Sequence, residues 1–386
     1  MSKTLSLALL AALGASLATP ALAQPSVRIS GFGQIVAGST GSDADAFPGA
    51  NYDGGVDFTD ESLFGIQFTA SLNERMDAVA QIVARGDRDF EPEFAWAYAN
   101  INLDGGFGLR AGRQRTAFYR YSDFLDVGFA YPWVRPPVSV YNIGFDSIDG
   151  LTLSHNTFLG DWFSQLQVQY GQFDGDARNG TSYIRSSLDD YHGIAWDMEY
   201  DDWFGFRLAW FRADVSFASD ELAGLSAMLG GAGLTTLAES VVYDGDRGTF
   251  FNAGLRYDRN NWLLQGEYVR VKVENTVFSD KTDWYVSAAY RFGALTPNLT
   301  WGRRDADAKT GLLAGLPEAS PVFAPVAGLV LAEAYDDRYL SAGLRWDLMD
   351  NMALKFDWTQ FRTRTDRALT GRDDADLYSA GLVFTF

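Results

Sequence analysis

A period of two organises the chain. In the last segment, Leu377 to Phe386, the residues Tyr378, Ala380, Leu382, Phe384 and Phe386 share one face, and Ser379, Gly381 and Thr385 the other. His192 to Tyr200 sets Ile194, Trp196, Met198 and Tyr200 opposite Asp197 and Glu199. Trp162 to Gly171 sets Leu166, Val168 and Tyr170 against Gln165, Gln167 and Gln169, and Arg338 to Leu348 sets Leu340, Ala342, Leu344, Trp346 and Leu348 against Ser341, Gly343, Arg345 and Asp347. Strict alternation predicts strands, because successive side chains of a strand point to opposite faces. The runs last about ten residues, the length a tilted strand needs to cross the hydrocarbon layer, whereas strands of a soluble sandwich usually run about five or six.

Sixteen such segments can be read, near 26–37, 61–72, 75–86, 93–103, 107–115, 150–158, 161–173, 191–201, 202–213, 248–258, 261–273, 283–292, 295–305, 337–348, 351–364 and 376–386. Their connections alternate in length. Short turns fall at Asn73-Glu74, Asp104-Gly105-Gly106, Gly160-Asp161, Asp201-Asp202, Asn260, Gly293-Ala294 and Met349-Asp350. Longer segments occupy 38–60, 115–149, 174–190, 214–247 and 306–336. One short and one long rim predicts an all-β, 16-stranded antiparallel transmembrane β-barrel with short periplasmic turns and long extracellular loops. An even strand number places both termini on the periplasmic rim.

The first residues follow a different pattern. Met1-Ser2-Lys3 is a short positive region, Leu5 to Leu17 an apolar one, and Ala21-Leu22-Ala23 a small-x-small cleavage site. Residues 1–23 are therefore expected to be a cleaved export signal, leaving one barrel domain over 24–386. Leu222–Val242 and Leu312–Ala334 are the other apolar stretches, and glycines, prolines and glutamates interrupt both. They read as loops with short helices, since a spanning helix needs about 20 predominantly apolar residues.

Composition narrows the chemistry. The 386 residues include 28 Phe, 18 Tyr, 11 Trp and 39 Gly, a load suited to strands and turns. The absence of cysteine excludes disulfides, Cys-based zinc sites, iron–sulfur clusters and thiol catalysis, and two histidines cannot build a three-His zinc site. A formal charge of −19 argues against nucleic acid as a partner, because phosphates need a basic surface. Loss of Lys3 with the signal makes the charge more negative still. Ser154 and His155 are adjacent on a strand and point to opposite faces, so they cannot form a nucleophile–base dyad. His192 lies near Asp189 and Asp190 without a suitably spaced serine. No enzyme activity, cofactor or metal is expected. The loop acids Asp43, Asp45, Asp53, Asp57, Asp305, Asp307, Asp373 and Asp374 match no calcium-loop spacing and read as solvated, with divalent-cation binding, direct or through lipopolysaccharide, as the other reading.

Three motifs carry a resemblance. Val27-Arg28-Ile29-Ser30-Gly31-Phe32-Gly33, the strand Phe107-Gly108-Leu109-Arg110-Ala111-Gly112-Arg113-Gln114, and the terminal Phe386 resemble the corresponding segments of general Gram-negative porins. The likeness runs through the whole mature chain in strand order. It implies an outer-membrane homotrimer in lipid and lipopolysaccharide, a third loop folded into the lumen, and passive diffusion of small hydrophilic solutes and ions. It also implies that Phe386 is the signal read by the barrel-assembly machinery. The chain departs from the enteric members twice: it lacks their Pro-Glu-Phe-Gly-Gly loop motif, and it opens the second strand with Glu61-Ser62-Leu63 where they tend to place a wall arginine.

Strand parity gives the expected lining. Arg28, Arg85, Arg207, Arg256, Arg291, Arg345 and Lys355 face inward, with Asp77, Asp197, Glu199, Asp258, Glu267, Asp283, Asp347 and Asp357. Thr116 to Asp149 is the inserted loop, carrying Arg120, Asp123, Asp126, Arg135 and Asp146, with Pro132, Pro136 and Pro137 stiffening it. Acids of that loop facing Arg28, Arg85, Arg113 and Arg115 on the wall would set a transverse field that orients dipolar solutes. Parity leaves Arg110 as a competitor of Arg113 and Arg115. Asp-rich loops favour cations at the mouth and the arginines oppose them inside, so a weak cation preference is expected. Tyr119, Tyr121, Phe124, Phe129, Tyr131 and Trp133 form either a stacking slide or the loop's own core. With the slide, the chain would be a substrate-specific channel for sugars, aromatic acids or phosphate. Ala78, Ala80, Ala84, Ala95, Ala97 and Ala99 give the early strands a small outward face that suits close packing between barrels.

Overall fold

The computed structural model describes residues 26–42, 47–179, 182–332, 334–364 and 374–386. Residues 1–23, the expected export signal, lie outside the described residues, as do Asp43, Asp45 and Asp373. The strands are β1 (Ser26–Ser39), β2 (Leu63–Asn73), β3 (Met76–Arg85), β4 (Pro92–Asn102), β5 (Phe107–Arg115), β6 (Ser147–Leu159), β7 (Trp162–Asn179) and β8 (Ser182–Tyr200). They continue as β9 (Phe204–Phe217), β10 (Tyr243–Arg259), β11 (Trp262–Val273), β12 (Asp280–Tyr290), β13 (Leu295–Asp307), β14 (Tyr335–Met349), β15 (Met352–Thr363) and β16 (Ala375–Thr385). Each pairs antiparallel with its sequence neighbours, and β1 closes on β16 from Phe32↔Thr385 to Ser39↔Tyr378. Closure leaves no edge strand, as a sheet in lipid requires.

The two faces are inverted relative to a water-soluble protein. Leu151, Leu153, Val168, Trp210, Leu255 and Phe356 are exposed on the outside, while Gln169, Asn252, Glu267, Asp283, Thr300 and Lys355 are buried within. That is stable only where the outside meets lipid or another barrel. Around the short-turn rim, Trp162 meets Tyr200 at 5.2 Å, Trp203 meets Tyr257 at 5.5 Å and Trp262 meets Tyr290 at 4.8 Å between ring centroids. These rings form part of an aromatic girdle. The short turns use left-handed residues where expected: Asn260 and Asn261 have φ of 53° and 67°, the pairing a two-residue hairpin with strand-matched twist demands.

Two features depart from the sequence reading. The segment 174–190 is not a long loop, because β7 and β8 run through it as a hairpin. Register shifts at Gly171/Phe173 and Asp189/His192 mark bulges in that hairpin, and its far part folds over the mouth. There Gly144 approaches Arg178 so closely that a Cβ would lie 2.0 Å from the carbonyl oxygen. The second departure is a bulge in β4, where Gln81 pairs with Trp96 but Ile82 with Phe94. Both Ala95 and Trp96 are consequently buried inside, so Ala95 leaves the small outward face.

The long-loop rim is partly roofed. Helices α1 (Asp220–Gly231), α2 (Thr235–Ser240) and α3 (Phe323–Ala332) stand above β9–β14, with Ser219 capping α1 through the Leu222 amide at 3.3 Å. Leu229, Leu237, Val241, Val277, Leu316, Val322, Val326 and Val330 give this cap its own core. Across the mouth, Phe47 and Tyr52 of the first loop fold inward onto Tyr339, Phe361 and Leu377.

Candidate functional site

The segment between β5 and β6 crosses the barrel interior and touches its wall almost all the way round. Pro132, Pro136 and Pro137 fix its extended middle, and the wall supplies its hydrogen bonds. The Tyr121 hydroxyl donates to Gln265 at 2.8 Å, Trp133 Nε1 to Thr300 at 2.8 Å, and the Val134 amide to Asp357 at 2.6 Å. Asn142 donates to Asp283 at 3.2 Å. Burial pushes the Tyr121 phenol up to about 12, so it stays a donor at neutral pH. Glu267 is a hub that accepts from Tyr141, Tyr285, Asn252 and the Arg120 amide.

Lys355 is the most completely enclosed clamp. Its ammonium donates to the carbonyls of Gly128, Tyr131 and Trp133, the last two at 2.6 Å each. Three loop carbonyls thus converge on one wall cation. Parity placed Lys355 inward, but the carbonyl triad is invisible in sequence, because it depends on the loop's path and not on its side chains.

The expected constriction residues separate into three groups. Arg85, Arg115, Asp126 and Asp146 come together: Arg85 meets Asp126 at 2.8 Å, and Arg115 contacts both acids. Glu93 joins through Arg85 and, at 2.6 Å, Arg88. Burial would raise the Asp126 carboxyl, but Arg85 and Arg115 hold it below its ordinary range. These charges are consumed as ion pairs fastening the loop, not spread across a gap as expected. The polarity also reverses along the loop. Its cations meet wall and first-loop acids, Arg120 with Glu199 at 2.9 Å and Arg135 with Glu61 at 2.6 Å. Burial alone would raise Glu61, yet Arg135 keeps it low. The unusual Glu61 is thereby explained as the partner of a loop arginine.

Arg28 and Arg113 require correction. Arg28 has inward parity but lies opposite Thr69 near the short-turn rim. β1 meets the loop at Gln34, whose side chain lies against Gly128. Six residues separate the two, roughly 20 Å along a strand. Arg113 points outward. It stands opposite Ala97 and Asp149, on the face of exposed Leu151 and Leu153, and makes a bidentate pair with Asp149 at 2.9 and 2.8 Å. Arg115 shares Arg113's parity, but β4–β5 pairing ends at Arg113, and beyond it Gln114 and Arg115 are both buried inside, Arg115 over the Trp96 ring.

Asp123 and Arg110 remain, and they face open space. A cavity of about 400 Å³ lies between the loop residues Asp123, Phe124 and Val127 and a wall that includes Gln67, Gln81, Tyr98 and Arg110. A second, of about 320 Å³, continues toward the short-turn rim among Asn100, Asn102, Ser154, Gln165 and Gln167, and Arg110 lines both. Arg110 lies over the Tyr98 ring at 4.5 Å. Among the described residues neither Arg110 nor Asp123 has an ion-pair partner within 4.0 Å. Amides, hydroxyls and the charges of Arg110 and Asp123 line the two spaces, the upper one together with the rings of Phe32, Trp96, Phe124 and Phe386. Of the loop aromatics, Tyr119, Tyr131 and Trp133 belong to the loop's buried core with Phe118 and Tyr285, whereas Phe124 is exposed to the passage.

The other chemistry is accounted for locally. Ser154 donates to the Gly108 carbonyl at 3.3 Å, and the His155 ring packs on Phe107 at 4.4 Å. Phe386 exchanges backbone hydrogen bonds with Gly31 at 2.9 Å, covers Gly31 with its ring and stacks on Phe64 at 6.0 Å.

A sequence model of the Gram-negative porin family matches residues 6–386. No curated protein sequence matches the chain. Among solved structures it is similar to OmpF of Salmonella typhi in complex with daunomycin, with 16% identity, 93% of this chain and 97% of that one covered, and a TM-score of 0.56. It is similar to an anion-selective porin from Comamonas acidovorans, with 12% identity over 94% of this chain and 100% of that one, TM-score 0.57. It is also similar to in-vitro folded OmpT of Vibrio cholerae in its trimer form, with 10% identity, 94% and 99% covered, TM-score 0.54. These likenesses concern the closed sixteen-stranded fold.

Proposed function

The chain belongs to the Gram-negative porin family, and on that premise we propose that its solutes pass between the inserted loop and the β1–β7 wall, with Arg110 and Asp123 as the unpaired charges of the passage. It is an outer-membrane diffusion channel. The observation that carries the path is the pair of cavities meeting at Arg110, each carrying amide, hydroxyl or charged side chains on its wall. Such a lining favours small hydrophilic solutes and ions, since an apolar solute would have to displace water held by amides and charges. Asp123 and the acidic loops set a weak cation preference. Porins are channels, and no catalytic step is proposed for this one.

The functional unit is a homotrimer of the mature barrel, residues 24–386. Ala78, Ala80, Ala97, Ala99 and Ala111 form a small outer face beside the Arg113–Asp149 pair. An arginine on a lipid-facing strand costs up to about 2–4 kcal/mol at the bilayer midplane, whereas small residues and a paired charge suit a protein neighbour. Phe386, at the seam of barrel closure, serves as the assembly machinery's recognition signal, and lipid with lipopolysaccharide covers the rest of the exterior. Conductance of refolded protein in planar bilayers, with the reversal potential under a KCl gradient, tests this reading. Ohmic steps in groups of three with a weakly cation-selective reversal are expected; folded protein without conductance would overturn the open path.

A further inference from the structure

The lower of the two spaces along the passage, about 320 Å³, falls within the size range of small-molecule sites, about 300–1,000 Å³. Asn102, Gly108, Ser154 and Gln167 stand in register across β4–β7, and Asn156 faces Gln165 in the next inward row toward the short-turn rim. One row above, Arg110 lies between Asn100 and Thr152. Neighbouring strands are about 4.8 Å apart, so these side chains share one continuous surface. Gly108, without a side chain, opens the middle of it; a Cβ there would lie 2.8 Å from Ser154 Oγ.

The amides of this surface are uncommitted. Among the described residues the side chains of Asn156, Gln165 and Gln167 have no hydrogen-bond partner, and Asn100 donates once, to Asn102 at 3.2 Å. An amide both donates and accepts, as an alcohol does, so rows of amides match a chain of hydroxyls, whereas carboxylates would only accept. Arg110 is the single charged side chain among the described residues lining this space. Its guanidinium stacks on the Tyr98 ring at 4.5 Å, which leaves its edge N–H groups for a bidentate carboxylate. The acids around it are engaged with other groups. Asp77, opposite Asn100, accepts from Ser71 at 2.9 Å, Asp104 of the β4–β5 turn pairs with Arg75 at 3.1 Å, and Asp197, opposite Gln165, pairs with Arg207. Asp123 and Arg115 line the upper space and not this one.

We propose that this wall binds a polyhydroxylated monoanion, the class of aldonic and uronic acids, with its carboxylate on Arg110 and its hydroxyls along the amides of Asn156, Gln165 and Gln167. The proposal rests on the channel reading above and deepens it, since it names a solute class for the same passage. Three probes of equal carbon number separate its parts: gluconate carries carboxylate and hydroxyls, sorbitol the hydroxyls, and hexanoate the carboxylate. Calorimetry on the refolded mature chain measures binding, and conductance in planar bilayers is recorded on the same preparations. Saturable gluconate binding is expected, with sorbitol and hexanoate each about tenfold weaker or more. Arg110→Gln should weaken gluconate about tenfold and leave sorbitol little changed, because it removes one charge-assisted contact. Gln165→Leu combined with Gln167→Leu should weaken gluconate and sorbitol alike and leave hexanoate unmoved. The proposal fails if gluconate does not bind, if hexanoate or sorbitol binds equally well, or if either variant, folded, keeps the native gluconate affinity. Conducting protein that binds no gluconate overturns this proposal alone, whereas loss of conductance with gluconate binding intact would count against the channel reading.

Discussion

Arg110 and Asp123 line the open passage and have no ion-pair partner among the described residues, and this sets what their removal does. Two unit charges about 10 Å apart in water interact by about 0.4 kcal/mol, a factor of about two in relative permeability. Arg110→Gln should therefore raise the cation-to-anion permeability ratio about twofold, and Asp123→Asn should lower it by a similar factor. Arg113→Gln should leave the ratio unmoved, because its guanidinium is on the outer face with Asp149. Reversal potentials of the three variants under a salt gradient check all three statements, and a shift with Arg113→Gln would contradict its assignment. Alternation was enough to place most of the interior, including Lys355, Glu267 and Asp357. Alternation through Leu109 and Ala111 puts Arg113 on the outer face, where it lies; the residue it misplaces is Arg115, which shares that parity yet is buried inside beside Gln114 at the end of β5.

At the scale of the inserted loop, the sequence made its existence, place and stiffness legible through its length and its prolines, but not its fastening. That fastening is three clamps: the Arg85–Asp126–Arg115–Asp146 cluster, the Glu61–Arg135 pair and the Lys355 carbonyl triad. Lys355→Met should leave three loop carbonyls without their donor, each costing about 1–3 kcal/mol when buried. The expected result is a loop that fluctuates, read as a several-fold rise in open-channel current noise with the barrel still folded. Glu61→Gln should destabilise the protein by about 3–5 kcal/mol, as breaking one side of a buried pair does, and pairing it with Arg135→Gln should recover part of that loss. Denaturant unfolding of the two single variants and the double variant measures the coupling; additive losses would mean the two side chains act independently. The acid response follows from Asp126. Its folded value lies below its unfolded one, so its contribution is complete above the ordinary aspartate value of about 3.9 and disappears only as pH falls through the lower folded value. Steady current is expected down to about pH 4 and flicker below that, whereas Asp126→Asn should flicker at pH 7. A wild-type transition between pH 5 and pH 6 would assign the response to another group.

The barrel as a whole was the most legible level, because a single physical demand, that each strand show lipid one face and water the other, is written as alternation along most of the sixteen strands. The packing of the mouth was not. The inward fold of Phe47 and Tyr52, the β7–β8 hairpin over Gly144 and the cap formed by α1–α3 all depend on contacts between loops far apart in sequence. Association of barrels belongs to this scale too, and its sequence signal, small outward residues, is carried by Ala97 and Ala99 on β4 and Ala111 on β5. A large side chain there would hold two barrels apart while remaining compatible with lipid, so Ala99→Trp should yield folded monomers where the native chain gives trimers. Asp149→Asn acts differently: it leaves Arg113 unpaired on the outer face, which weakens folding and association together. Light scattering in detergent and the grouping of conductance steps in bilayers separate these effects. Ala99→Trp protein that still conducts in single steps places the trimer contact on β4–β5 while showing that each barrel carries its own path. Trimers that persist in Ala99→Trp would move the contact to another face, leaving the Arg113–Asp149 pair to be covered by lipid headgroups.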